Sequence, residues 1–120
     1  MFLTINCIMH LENNSLKFLP LALFQLPKLT FLNVSNNNLV ELPVSSSQFQ
    51  KGWSCINLKK MCISNNQLEI LPAALWNMRE LKELDADNNC ISEIESTTEF
   101  CANLRALNVS HNKLHNALGK

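Results

Sequence analysis

Apolar residues in this chain recur in a fixed arrangement around an asparagine rather than with one steady period. In Leu29-Thr30-Phe31-Leu32-Asn33-Val34-Ser35-Asn36-Asn37-Asn38-Leu39 the arrangement is L-x-x-L-x-L-x-x-N-x-L, and it returns around Asn14, Asn66, Asn89 and Asn112. The intervals between these asparagines are 23, 29, 23 and 23 residues, too regular for chance. A unit of this size cannot bury its own apolar side, so it must stack between neighbours that cover it. Just before each asparagine the pattern alternates, as in Met9-x-Leu11, which puts both side chains on one face of a short strand and His10 on the other.

Five units follow, over approximately 3–25, 26–54, 55–77, 78–100 and 101–120, together making one domain. The first places Leu3, Met9, Leu11, Leu16, Leu19 and Leu23 inward, and Pro20-Leu21-Ala22-Leu23-Phe24 suits a short helical turn started by proline. The third ends its return path in Ala73-Ala74-Leu75-Trp76, the best helical stretch by composition. In the fourth the return path is weaker, with Glu95 in place of the proline and Thr98 in place of the leucine. The second unit is six residues longer, its interval being 29 against 23, with Ser46 where leucine is expected, and insertions in stacked arrays map to loops. Phe49 or Trp53 then supplies the missing apolar plug; the alternative is that Trp53 is exposed and binds a partner.

The strands should line up as a parallel sheet, adjacent strands about 4.8 Å apart. The repeated asparagine is explained by its side chain, which carries both donor and acceptor and can satisfy backbone groups in its own turn and the next. Tight packing on the strand side and wider spacing on the other should bend the stack into an arc. Neither end carries a polar capping unit, so the chain reads as a fragment of a longer array, with self-association through uncapped ends a possibility to test.

Function is expected on the strand face, where side chains six, four and two residues before each asparagine point outward. The outermost column is Ile8, Phe31, Lys60, Glu83, Ala106; the next is His10, Asn33, Cys62, Asp85, Asn108; the third is Glu12, Ser35, Ser64, Asp87, Ser110. Ile8 and Phe31 form an apolar pair, and Glu83, Asp85 and Asp87 an acidic group beside Lys60. An apolar anchor next to patterned charge is what a protein-binding surface needs. These six residues are the candidate contacts; the competing reading is that the acids are a solvated strand surface.

Composition narrows the function classes. Charge balances to zero with pI 6.8, which gives no general attraction to nucleic acid or anionic lipid. No apolar run approaches the roughly 20 residues of a membrane helix, and the N-terminus lacks the basic region and cleavage site of a signal peptide. Five scattered cysteines form no paired caps; Cys55 and Cys101 occupy the slot held elsewhere by Leu26 and Met78, so they read as small buried hydrophobes in a reducing, cytoplasmic setting. Sequons at Asn13, Asn33 and Asn108 keep an extracellular, glycosylated alternative open, although the repeat itself generates two of the three.

Catalysis is not expected. Ser110, His111 and Asp87 hold the atoms of a triad, but consecutive residues diverge; Cys62 and His10 are two strands apart. A metal at Glu83, Asp85 and Asp87 would want more oxygens than a flat sheet presents, and two glycines leave little for a phosphate loop, so no metal or cofactor is assigned.

With these residues in view, the chain resembles the leucine-rich repeat family, in its roughly 23-residue form L-x-x-L-x-x-L-x-L-x-x-N-x-L-x-x-L-P, which Leu26 through Pro43 fits without a gap. The resemblance implies an α/β solenoid, with a curved parallel sheet on the concave face and short helical or irregular segments on the convex face. It implies a protein-interaction module of a larger intracellular signalling or scaffold protein. The stretch Leu58-Lys59-Lys60-Met61-Cys62-Ile63-Ser64-Asn65-Asn66 and the Asn89-Cys90 pair look similar to the repeat arm of ROCO-type kinases. Under that resemblance the array could be a purely structural arm of a larger kinase or GTPase, whose catalytic motifs are not in these residues.

Overall fold

A computed structural model of the chain describes residues 7–44, 52–95 and 103–114. The strands are β1 (Cys7–His10), β2 (Leu29–Asn33), β3 (Lys60–Cys62), β4 (Ile70–Leu71), β5 (Glu83–Asp85), β6 (Glu93–Ile94) and β7 (Ala106–Asn108). β1, β2, β3, β5 and β7 form one five-stranded sheet in that order, and every pair is parallel. One strand per repeat, each beside the strand of the next repeat, is the expected solenoid. On the return side, β4 and β6 make a separate two-stranded parallel sheet.

Alternation in the sequence becomes alternation of burial. Leu32, Val34, Met61, Ile63, Leu84 and Ala86 point into the core and are buried, while Ile8, Lys60 and Glu83 between the inward positions are exposed. The inward residues of successive repeats stack on one another, and fully burying one Leu- or Ile-sized side chain contributes about 1.5–3 kcal/mol. The proline-started turns also form: Leu21–Gln25 and Ala73–Asn77 are 3-10 helices following Pro20 and Pro72, and they bury Leu23, Phe24, Leu75 and Trp76.

Trp53 is the plug of the long repeat. Its ring stacks on Phe24 with centroids 4.1 Å apart, and its Nε1–H donates to the Pro43 carbonyl at 2.6 Å. Subtracting the six extra residues puts Trp53 ten positions after Asn37, the slot that Phe24 and Trp76 hold after Asn14 and Asn66. Trp76 in turn donates to the Glu95 carbonyl at 2.6 Å, and the Glu95 carboxylate accepts from the Ala73 N–H at 3.1 Å, which gives the residue replacing the proline a role of its own. Expectations for Leu3, Ser46, Phe49, Thr98 and Cys101 lie outside the described residues.

The structure corrects two expectations. Leu26 is 36% exposed although Cys55 and Met78 in the same slot are buried. The asparagine amides also reach the preceding repeat, not the following one. Asn66 donates from Nδ2 to the carbonyls of Ile63 and Ser64 in its own turn and of Val34 one repeat back, while its Oδ1 accepts from Leu39 N–H at 3.0 Å. Asn37, Asn89 and Asn112 repeat this pattern on Leu11 and Leu16, on Ile63 and Leu68, and on Ala86 and Ile91. Among the described residues Asn14 bonds within its own turn, to the carbonyls of Leu11 and Glu12.

Candidate functional site

Strand register fixes the outward rows. Ile8 pairs with Phe31, Phe31 with Lys60, Lys60 with Glu83 and Glu83 with Ala106, so the first expected column is a real row across the sheet. His10, Asn33, Cys62, Asp85 and Asn108 form the second in the same way.

Along the first row the chemistry changes stepwise. Ile8 is 61% exposed, an apolar side chain with no core duty. Phe31 is half-buried, with the His10 ring 5.3 Å away and tilted by 45°, and with Lys60 Nζ 6.0 Å from its centroid, at the outer limit of cation–π attraction. Lys60 also pairs with Glu83 at 3.4 Å, both side chains being about half exposed. A pair this open to water is worth about 0–1 kcal/mol, so it costs little to exchange for a partner's charge. Past Glu83 the sheet has a shallow depression of about 470 Å³, flanked by Lys60, Asp85, Arg105, Ala106 and Asn108.

The second row has a structural task that the sequence reading did not anticipate. Asn33 Oδ1 accepts from the N–H and the Oγ of Ser35, Asp85 Oδ1 from Asp87 N–H, and Asn108 Oδ1 from Ser110 N–H. A short polar side chain here folds back on the backbone two residues on, as Asx turns do. Asp85 is therefore half-buried, with one oxygen committed, and Asp87 is half-buried with Oδ1 2.8 Å from His111 Nδ1. Of the three acids, Glu83 is the exposed one, and its carboxylate is engaged by Lys60 in a water-open pair that a partner's charge can displace. His111 Nδ1 thus bonds Asp87, while Ser110 uses its N–H on Asn108 Oδ1.

One further column was missed. Asn13, Asn36, Asn65, Asn88 and His111, each immediately before a ladder asparagine, have φ of 60°, 56°, 54°, 57° and 54°. Asparagine tolerates this left-handed region better than other residues with a Cβ. The signal was the doubled asparagine in four of the five repeats. Asn36 Nδ2 donates to Asn13 Oδ1 at 3.0 Å and Asn88 Nδ2 to Asn65 Oδ1, so this exposed column also bridges repeats.

Cys55 behaves as the buried hydrophobe its slot suggests. It is fully buried, 3.4 Å from Met78 Sδ, and burial pushes its thiol up to about 11.

The repeat sequence has counterparts in known proteins. A family model described as Leucine Rich Repeat matches residues 28–49 and 57–78. The mouse leucine-rich repeat serine/threonine-protein kinase 1 is 47% identical over 57 residues, 48% of this chain and 3% of the relative. The probable inactive serine/threonine-protein kinase roco10 of Dictyostelium discoideum is 31% identical over 106 residues, 88% of this chain and 4% of the relative. The human oligodendrocyte-myelin glycoprotein is 38% identical over 87 residues, 69% of this chain and 17% of the relative. The chain thus spans a small part of the length of each. Among the described residues no helix is long and apolar enough to cross a membrane.

Proposed function

This chain belongs to the leucine-rich repeat family, and on that premise we propose that it is a protein-interaction segment of a larger intracellular signalling or scaffold protein, binding its partner through the strand face. Leucine-rich repeats commonly mediate protein–protein interaction and are not themselves catalytic. The observation that carries the reading is the first outward row: Ile8, Phe31, Lys60 and Glu83 stand side by side in register, run from apolar to charged, and do none of the core packing. Ile8 and Phe31 are the apolar anchor, and Lys60 and Glu83 set the charge pattern. Asp85 and Asp87 contribute the oxygens their turn leaves uncommitted. Similarity to two named kinases over a few per cent of their length supports placement within a larger protein.

The test compares proteins captured by the unaltered chain with those captured by Phe31→Ala and Glu83→Lys. Loss of one truncated anchor at an interface centre costs at least about 1.4 kcal/mol, a tenfold loss of affinity. The expected result is the same missing partner in both variants with unchanged circular dichroism. Retention of every partner by both would remove the strand face from consideration.

A second reading has its own support. Similarity to the oligodendrocyte-myelin glycoprotein, with the sequons at Asn33 and Asn108, favours an extracellular recognition segment. A mass decrease of native material on peptide-N-glycosidase treatment would select it.

A further inference from the structure

Among the described residues, backbone bonding between repeats on the return side is uneven. From the third repeat to the fourth, backbone bonding runs on past the asparagine turn, through Cys90 N–H to Leu68 O, Ser92 N–H to Glu69 O, the β4–β6 pairing and Glu95 N–H to Leu71 O. From the second to the third it ends at Gln67 N–H to Leu39 O among the described residues. Where the bonding lapses, a cleft of about 180 Å³ opens, with Val40, Leu42, Val44, Ile70 and Pro72 along it and Glu41, Glu69 and Glu95 at its rim.

We propose that this cleft docks a cationic peptide segment of a partner protein, with one aliphatic or aromatic side chain of the peptide seated between the second and third repeats and flanking lysines or arginines on the glutamate rim. The volume fits one such side chain, since a dry cavity of about 150 Å³ holds a benzene molecule. The lining is apolar and open: Val44 is 54% exposed and Ile70 43%. The rim is of one sign. Among the described residues no lysine or arginine lines the cleft, and Glu93, paired with Ile70 in register, extends the acidic edge. Among the described residues Glu41, Glu69 and Glu93 have no ion pair. Carboxylates gathered around an apolar floor repel one another, and a cation placed among them relieves that repulsion while the floor supplies burial.

Charge also selects among occupants. A second copy docking by a two-fold contact would bring this acidic rim against itself, which like-charge repulsion opposes. The surface is separate from the strand face, so the two can fail independently.

The probe is fluorescein-labelled Lys-Lys-Leu-Lys-Lys, with Lys-Lys-Ser-Lys-Lys as control, titrated with the whole chain by fluorescence anisotropy. The leucine peptide should bind at least tenfold more tightly than the serine peptide. Glu41→Lys with Glu69→Lys, both exposed positions, should abolish that binding with unchanged circular dichroism, and Ile70→Ser should weaken it to the level of the serine peptide. Glu83→Lys on the strand face should leave it unchanged. Equal binding of both peptides, equal loss in Glu83→Lys, or no binding at all would overturn the proposal. So would a dimer that Ile70→Ser dissociates, which would identify a second copy as the occupant. Binding that appears only after Phe49→Ser with Lys51→Ser would overturn it too, by identifying the chain's own insertion as the occupant.

Discussion

The asparagine side and the return side of this solenoid are held together by different physics. At the asparagine turns, Asn37, Asn66, Asn89 and Asn112 each donate to carbonyls of their own turn and of the repeat before, and each accepts one N–H from the repeat before. On the return side, among the described residues, the links between repeats vary from one pair to the next. Trp53 stacks on Phe24 and bonds to Pro43, Trp76 bonds to Glu95, and the β4–β6 pairing joins only the third and fourth repeats. A buried amide must have its partners in fixed directions or lose about 1–3 kcal/mol per orphaned group, so the turn cannot drift. Apolar burial has no preferred direction, so the return side accommodates six extra residues as long as something large and apolar fills the gap.

If that contrast is right, the largest single effect belongs to the return side. Trp76→Ala empties a nearly fully buried slot and should lower the unfolding free energy by about 3–5 kcal/mol in urea titration. The half-buried Trp53 should cost less on the same change, about 2–3 kcal/mol. Equal losses would mean that Trp53 is packed as fully as its counterpart.

Next comes the ladder. Asn66→Leu strands Leu39 N–H and takes one of two donors from the carbonyls of Val34, Ile63 and Ser64, and should cost about 1–3 kcal/mol, whereas the exposed Asn14, which among the described residues bonds within its own turn, should cost under about 0.5 kcal/mol. A matching loss at both sites would show that cross-repeat bonding is not what the asparagine contributes.

Smallest of the three is the left-handed column. Asn65→Ala should cost about 1 kcal/mol, because alanine at φ 54° meets the steric penalty, while Asn65→Gly should be close to neutral. Indistinguishable alanine and glycine variants would assign the role of Asn65 to its side-chain bond instead.

Much of the architecture could be read from the sequence because it rests on side-chain type at fixed spacing. The ladder asparagines, the alternation that exposes Ile8, Lys60 and Glu83, and the proline-started turns at Pro20 and Pro72 are of this kind. What escaped depends on direction. Nothing in the spacing says that an amide reaches backward to Val34 and Leu39 rather than forward, or that the backbone at Asn65 turns left-handed. The candidate row was legible residue by residue, but the division of labour inside it was not. Asp85 and Glu83 look alike as outward acids, yet only the structure reveals that Asp85 spends one oxygen on the Asp87 N–H. The cleft was invisible for the same reason, since it lies where, among the described residues, the backbone bonds between the second and third repeats stop after Leu39.

The contrast between the two sides comes to a point over three residues of the second repeat. Leu39 N–H is held by Asn66 Oδ1, whereas Leu42, although its side chain is buried, gives its N–H to no partner among the described residues. Native-state hydrogen exchange resolves both amides in one experiment. The account predicts that Leu39 exchanges only with global unfolding, alongside Leu68 and Ile91, and that Leu42 exchanges much faster through local opening. Equal protection of Leu39 and Leu42 would contradict it.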